Sequence, residues 1–173
     1  MSDWKPKRFW TAASVAPVEG GFTVLLDGRG VKTPAKAPLV VPSEALARLI
    51  AAEWDAQVEK VAPETMPATR AANSALDKVA VQFDQVAEML AEYGGTDLLC
   101  YRAEGPAELV ARQAAGWDPL LDWASDRYGA PLVATAGVMF IAQPPGSLAA
   151  LRHAVFDQTP FQLAALHDLI AIT

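Results

Sequence analysis

The sequence Pro42-Ser-Glu-Ala-Leu-Ala-Arg-Leu-Ile-Ala-Ala-Glu-Trp-Asp-Ala-Gln-Val58 predicts the helix around which the rest of the chain is organised. Ser43 is a favoured helix N-cap, Glu44 suits the positive end of the helix dipole, and the alanines that follow favour helix. With about 100° between successive residues, one broad face collects the large apolar side chains Leu46, Leu49, Ile50, Trp54 and Val58. We therefore predict a helix from Ser43 to Val58 that buries this face.

Two polar side chains of this helix, Glu53 and Gln57, fall within the same apolar face, whereas Asp55 points away from it. A buried carboxylate is costly unless it is hydrogen-bonded, and backbone N–H groups or hydroxyls of neighbouring loops are the simplest partners. We therefore predict that Glu53, Trp54 and Gln57 form a structural contact between two domains. A half-exposed helix edge is the alternative, and the sequence favours neither.

The residues before this helix predict a small antiparallel sheet. Strands are expected at residues 8–15, 21–26 and 39–41. Asp27-Gly28 suits a hairpin turn because both residue types tolerate a positive φ. Flanking prolines restrict the third strand to an edge of the sheet.

The segment Val61–Pro67 contains two prolines and no periodic pattern, so it predicts a connector between domains. We expect a β-containing N-terminal domain at residues 1–66, which includes the Ser43–Val58 helix, and an all-helical domain at residues 67–173. The fold class is therefore α+β. The last predicted helix reaches Ile172-Thr173 without a glycine, a basic residue or a polar tail, and we expect the chain to be truncated within the helical domain.

Helical periodicity dominates the second half of the chain. A helix is predicted from Thr69 to Tyr93, with a break allowed near Gln82. Pro106 opens a further helix that Gly129 closes, and Pro119 should kink or interrupt it. Residues 130–143 are apolar and are expected to be extended, and two more helices follow from Ser147 and from Thr159.

Composition and charge exclude several classes of function. The 173 residues carry a net charge of −6, which argues against wide nucleic-acid contact. No apolar run reaches the roughly 18 residues that a membrane span needs, so no membrane insertion is expected. The N-terminus lacks the order of a secretory signal, and the single Cys100 fits a reducing compartment, so a cytoplasmic location is predicted.

The sequence offers little for catalysis. Two histidines and one cysteine provide no zinc-ligand spacing, and no glycine-rich phosphate loop opens a helix. We expect no metal, no cofactor and no small-molecule substrate, and hence no enzyme. The alternative is an enzyme that uses Glu53 as an acid–base group in an interdomain cleft. A structural role is favoured because no other catalytic group accompanies this residue.

An ordered series of motifs runs along nearly the whole chain. Its members are Arg8-Phe9-Trp10, Leu26-Asp27-Gly28-Arg29, Lys32-Thr33-Pro34, Leu46-Ala47, Glu53-Trp54-Asp55-Ala56-Gln57, Met66-Pro67, Asp77, Asp97-Leu98-Leu99-Cys100-Tyr101-Arg102, Gln113, and Trp117 with Pro119-Leu120-Leu121. In this order they resemble the assembly chaperones that bind the α subunit of the F-type ATP synthase in mitochondria and in some bacteria. The combination is specific, although no single piece is.

This resemblance implies two domains and a non-enzymatic function. Such chaperones hold unassembled α subunits until these alternate with β subunits in the hexameric head. The resemblance also implies a bacterial cytoplasmic location, or the mitochondrial matrix for eukaryotic relatives. Family members continue past the position of Thr173 with an apolar helix and a later acidic, tryptophan-containing motif, which this sequence does not contain.

A chaperone of this kind must itself present apolar surface. An unassembled subunit exposes the apolar area that its neighbours later cover, and such patches aggregate. Aromatic residues and methionine are enriched at interfaces, so we expect partner contacts at Trp117, Trp123, Met139 and Phe140. Burial of these side chains in the core is the alternative. An interaction module that binds another partner also remains open, since a fold does not determine a function.

Overall fold

A computed structural model of the chain describes residues 7–171. Within that range the strands are β1 (Ala13–Val18), β2 (Gly21–Leu26), β3 (Arg29–Gly30), β4 (Val40–Val41), β5 (Tyr101–Arg102) and β6 (Thr135–Ala136). The α-helices are α1 (Glu44–Asp55), α2 (Pro67–Ser74), α3 (Phe83–Glu92), α4 (Ala107–Tyr128), α5 (Pro145–Phe156) and α6 (Pro160–Ala171). The predicted α+β class is confirmed. The predicted chain end at Ile172-Thr173 lies outside the described residues.

The N-terminal sheet is antiparallel and centred on β2. This strand pairs with β1 along its whole length, from Ala13 opposite Leu26 to Val18 opposite Gly21. On its other side β2 pairs with β3 and with β4. The second predicted strand is confirmed, whereas the first begins at Ala13 and not at residue 8. The reason is that residues 8–12 direct their backbone hydrogen bonds elsewhere, to Glu59 and to the Asp27 carboxylate.

The turn between β2 and β3 has the predicted left-handed geometry. Asp27 has a φ of +47° and Gly28 a φ of +81°. The Asp27 carboxylate accepts hydrogen bonds from the N–H of Thr11 at 2.9 Å and from that of Ala12 at 3.0 Å. These backbone N–H groups, that of Ala12 most strongly, hold the pKa of the Asp27 carboxyl below its ordinary value of 3.8. The turn therefore also positions the start of β1.

We expect Asp27→Asn to show what this carboxylate contributes as a function of pH. Because the folded pKa is lowered, the charged carboxylate stabilises the fold above its ordinary pKa, and this contribution disappears as the pH falls through the folded value. Asparagine tolerates the positive φ, so the turn is kept, and the variant loses the negative charge and one of the two acceptor oxygens. Urea unfolding at pH 7 should find the variant less stable, and the difference between the two proteins should shrink as the pH falls below the ordinary pKa of 3.8. A stability difference that did not shrink as the pH fell below this value would contradict the prediction, and Glu19→Gln is the exposed control.

Two compact units are present. The first contains the chain to Gln82 together with Pro160–Ala165, and the second contains Phe83–Thr159 and the chain from Leu166. Residues 67–82 are thus grouped with the first unit. The domain boundary after residue 66 remains a prediction of the sequence.

The first unit has a well-filled core between its sheet and α1. Val24, Leu39 and Val41 are fully buried, and α1 packs Ile50 onto them beside two buried alanines, Ala47 and Ala51. Ser43 caps α1 as predicted, since its Oγ accepts the N–H of Leu46 at 3.3 Å.

The predicted apolar face of α1 is partly wrong. Leu49 is 61% and Val58 81% exposed. The two small residues Ala47 and Ala51 allow the helix to approach the sheet closely, so the buried stripe is centred on them and on Ile50. The helix also ends at Asp55, so Val58 lies beyond it and has no helical face to share.

The second unit is mainly helical. α3 and α5 meet through the edge-to-face rings of Phe83 and Phe156, whose centroids are 6.3 Å apart. β5 and β6 form a short parallel pair that the sequence did not predict. The predicted helix from Thr69 divides into α2, a π-helical turn at Ala75–Val79 and α3, with the break at residues 80–82.

Of the two effects predicted for Pro119, a kink or an interruption of α4, the interruption is wrong. The helix continues from Ala107 to Tyr128 and ends at Gly129, whose φ is +64° as the C-cap prediction requires. Pro119 lies inside this helix and is exposed. None of the helices described between residues 7 and 171 is both long and apolar enough to cross a membrane.

Candidate functional site

The carboxylate of Glu53 caps the first turn of α2. Its Oε1 accepts the N–H of Ala68 at 2.6 Å, and its Oε2 accepts the N–H and the hydroxyl of Thr69 at 2.8 and 2.6 Å. The first N–H groups of a helix have no partner within the helix, and the helix dipole favours a negative charge there. Three donors thus engage this side chain, an arrangement typical of a structural carboxylate.

Gln57 and Trp54 complete this cluster. Gln57 is 4% exposed, donates to the carbonyl of Glu53 at 2.9 Å and accepts the N–H of Ala62 at 2.7 Å. The Trp54 ring meets Trp10 edge to face at 5.1 Å. These contacts lie within the first unit. The predicted role of Glu53, Trp54 and Gln57 in joining two domains stays a prediction.

A loop in the second unit exposes three large apolar side chains in succession. Val138 is 92%, Met139 79% and Phe140 69% exposed. Single exposed apolar residues are normal on protein surfaces, whereas large contiguous apolar patches mark interaction sites. We call these three residues the 138–140 loop.

The structure holds the 138–140 loop at both ends. On one side the N–H of Gly137 donates to the carbonyl of Arg102 at 2.8 Å, next to the β5–β6 pair. On the other side the buried amide of Gln143 bonds both backbone groups of Val133, at 2.8 and 2.9 Å. The segments on both sides of the loop are therefore fixed by hydrogen bonds.

Helix α4 presents a second apolar surface. Leu120 is 48% and Trp123 56% exposed, although the Trp123 ring already meets Tyr128 edge to face at 5.4 Å. None of the described residues from Ala107 to Tyr128 is buried. A 22-residue helix with aromatic side chains and no buried residue is only partly covered by its own unit.

Arg102 connects α4 to the base of the 138–140 loop. Its guanidinium pairs with Asp118 at 2.8 Å, lies over the Trp117 ring at 5.3 Å, and donates to the carbonyl of Leu99 at 2.6 Å. Its backbone carbonyl accepts from Gly137, as described above. Trp117 is half-buried and supports this contact.

The four predicted partner-contacting residues therefore differ in environment. Trp123, Met139 and Phe140 are exposed, whereas Trp117 is engaged by Arg102. The sequence prediction omitted Val138 and Leu120. Val138 adjoins the predicted Met139, and Leu120 adjoins Pro119. No sequence pattern distinguished either residue from a core residue. A role of any of these residues in partner binding stays a prediction.

Two open depressions lie elsewhere. One of about 470 Å³ on the first unit is lined by Leu25, Val31, Val40 and their neighbours, and one of about 310 Å³ on the second lies beside the Glu88–Arg152 ion pair. In the part of the chain that the structure describes, no group of three or more histidine, cysteine or acidic side chains is arranged to hold a metal ion.

The sequence is similar to that of ATP12 chaperone proteins. A family model described as ATP12 chaperone protein matches residues 7–125. The chain is 28% identical over 177 residues to the protein atp12, mitochondrial, of Schizosaccharomyces pombe. That alignment covers 95% of this chain and 61% of the relative, so the chain spans about three-fifths of that protein's length.

Solved structures show the same similarity. A mutant of Paracoccus denitrificans Atp12p superposes with a TM-score of 0.95 at 54% identity, covering 99% of this chain and 73% of that one. The crystal structure of Atp12 from Paracoccus denitrificans gives 0.92 at 54% identity, over 96% and 71%. The Atu1473 protein from Agrobacterium tumefaciens gives 0.88 at 48% identity, over 96% and 63%.

Proposed function

Since this chain belongs to the ATP12 chaperone protein family, we propose that it binds the unassembled α subunit of the F-type ATP synthase. Binding would prevent aggregation of this subunit before the catalytic head assembles. The observation that carries the proposal is the succession of exposed apolar side chains at Val138, Met139 and Phe140. Trp123 on α4 extends the same kind of surface.

The size of this surface suits reversible binding. Burying one large apolar side chain contributes about 1.5–3 kcal/mol, and association itself costs several kcal/mol. A few such side chains can therefore bind the α subunit and still release it. The β subunit, which covers the same apolar area permanently in the assembled head, can then displace the chaperone.

We place this activity in the bacterial cytoplasm, and in the mitochondrial matrix for eukaryotic relatives. The curated relative is mitochondrial. The sequence contains no phosphate-binding loop, so release is attributed to competition and not to nucleotide hydrolysis. The chaperone acts without a cofactor and without enzymatic turnover.

Aggregation of the isolated α subunit provides the direct test. The purified chain is mixed with α subunit under aggregating conditions, light scattering is recorded, and complexes are separated by size. We expect suppressed scattering and a complex of the two proteins, which added β subunit should dissolve. Atp12 from Paracoccus denitrificans serves as the longer comparison protein. The proposal fails if that protein suppresses scattering while this chain neither suppresses it nor forms a complex.

The double variant Met139→Asp/Phe140→Asp should separate binding from folding. Both side chains are mostly exposed in the chain, so its thermal midpoint should change little. Affinity for the α subunit should fall by about tenfold or more, because two apolar anchors are lost. Leu49→Asp/Val58→Asp is the matched control, since Leu49 is 61% and Val58 81% exposed on the first unit. If the double variant and the control bound the α subunit with equal affinity, the 138–140 loop would not be part of the surface that contacts this subunit.

A further inference from the structure

Met139 is the most exposed of the methionines that the structure describes between residues 7 and 171. It is 79% exposed, whereas Met89 on α3 is 39% exposed and Met66 in the core of the first unit is 2% exposed. Susceptibility of a sulfur atom to a dissolved oxidant follows its exposure. The sulfur of Met139 is therefore the first of these three that such an oxidant reaches.

The thiol of the chain does not compete with Met139 for an oxidant. Cys100 is the single cysteine and is fully buried. Burial, together with the nearby negative charge of Asp97, raises the pKa of the Cys100 thiol above its ordinary value of 9.0. Because the thiolate is the form that oxidants attack, both the position and the protonation of this thiol protect it.

Met139 also lies at the centre of the 138–140 loop. Val138 on one side is 92% exposed and Phe140 on the other is 69% exposed. Oxidation converts the flexible apolar side chain of methionine into a polar sulfoxide. A sulfoxide oxygen that is buried against an apolar surface without a hydrogen-bond donor costs free energy, whereas the unmodified thioether gains it. The modification therefore removes the central apolar side chain of the loop.

We propose that Met139 is a modification site at which hydrogen peroxide, or another donor of one oxygen atom, weakens binding of the α subunit. This regulation rests on the proposed function. The thioether sulfur donates a lone pair to one peroxide oxygen, so that an S–O bond forms while the O–O bond breaks. The departing hydroxide takes the proton of the transferred oxygen and leaves as water. Sulfur loses two electrons and the peroxide gains them, which yields methionine sulfoxide and water.

The modification is reversible. Methionine sulfoxide reductases, one for each epimer of the sulfoxide, restore the thioether. In that step the sulfoxide oxygen leaves as water, and two thiols are oxidised to a disulfide. The exposure that admits the oxidant also gives these enzymes access to Met139.

The first measurement uses the purified chain without any partner. The chain is treated with increasing amounts of hydrogen peroxide, and mass spectrometry of its peptides gives the oxidised fraction of each methionine. We expect Met139 to react before Met89 and well before Met66, with little change in the thermal midpoint of the singly oxidised protein. Oxidation of Met89 or Met66 before Met139 overturns the inference.

The second measurement compares the affinity for isolated α subunit before and after a treatment that oxidises Met139 and spares Met66. Affinity should fall by about tenfold, since one apolar anchor is lost. Incubation with both reductases and dithiothreitol should restore it. Equal affinity before and after treatment overturns the inference and leaves the chaperone function standing. Absence of any complex with the untreated chain overturns both.

Met139→Leu and Met89→Leu are the matched variants, because leucine has a similar volume and no sulfur. Each variant is compared only with its own untreated form. Met139→Leu should lose the sensitivity of its affinity to peroxide, and Met89→Leu should keep it. Equal sensitivity of the two variants, or the reverse order, assigns the effect to another oxidised group and overturns the inference.

Discussion

Replacing Gly21 by alanine is expected to lower the free energy of unfolding by about 3–5 kcal/mol. Gly21 begins β2 with a φ of +150°, a conformation that residues with a side chain rarely adopt. A Cβ atom at this position would lie 2.2 Å from the carbonyl oxygen of Val41. Because that atom belongs to the backbone of β4, it cannot rotate away, and the pairing of β2 with β4 must open.

Gly30→Ala is the matched control for this prediction. A Cβ atom at Gly30 would meet nothing within 4 Å, and its φ is not in the left-handed region. The control should change stability by less than about 1 kcal/mol, and could raise it, because alanine restricts the unfolded chain. Urea denaturation followed by tryptophan fluorescence measures both variants. Unfolding of Gly21→Ala at the same urea concentration as the control would show that β2 and β4 do not approach this closely.

Replacing Glu53 by glutamine should lower the free energy of unfolding by about 2–4 kcal/mol, with a fall in thermal midpoint of roughly 5–15 °C. The carboxylate accepts two backbone N–H groups and the hydroxyl of Thr69. The amide of glutamine has one oxygen that can accept hydrogen bonds, and it lacks the negative charge that interacts favourably with the α2 dipole. Its NH₂ group is a donor, and it would face the N–H and O–H donors of α2. Thermal unfolding monitored by circular dichroism measures the change.

Glu44→Gln provides the control on the same helix. Glu44 forms an exposed pair with Arg48 one turn away, and such pairs contribute less than about 1 kcal/mol. If Glu53→Gln were as stable as this control, the three short hydrogen bonds would not support α2. A folded, equally stable Glu53→Gln protein that had lost a measurable turnover would instead favour the enzymatic alternative.

Local features of the fold could be predicted well. The extent of β2, the positive φ values at Asp27-Gly28, the cap at Ser43 and the end of α4 at Gly129 all agree with the sequence. Each depends on residues within about four positions, whose turn and capping preferences are intrinsic. The α+β class follows from the same signals added along the chain.

Features that depend on distant residues were predicted less well. Leu49 was expected in the core and is exposed, because the packing of Ala47 and Ala51 against the sheet selects a different stripe of α1. The start of β1 depends on the Asp27 carboxylate, fifteen residues along the chain. Burial of a helix face is decided by the shape of the opposing surface, which periodicity does not contain.

The candidate site shows the same division. Sequence reasoning selected Trp123, Met139 and Phe140 by residue type, and Glu53 by its position on an apolar face. For Glu53 it predicted backbone N–H and hydroxyl partners of the kind observed, but it could not identify the residues that supply them or the exposure of any of the four side chains. Those depend on Arg102, which contacts both α4 and the base of the 138–140 loop, and on the first turn of α2.

By itself, then, the sequence determined membership of the chaperone family, because the motifs occur in a fixed order along the chain. It also determined the α+β class, the turns and the helix ends, because these depend on the backbone preferences of residues close together in sequence. Only the tertiary structure decided which apolar side chains remain in water and which polar groups meet, because both depend on residues far apart in the chain. Val138, Met139 and Phe140 are exposed in a loop whose flanks are held by hydrogen bonds to Arg102 and from Gln143, and no local pattern specifies that arrangement.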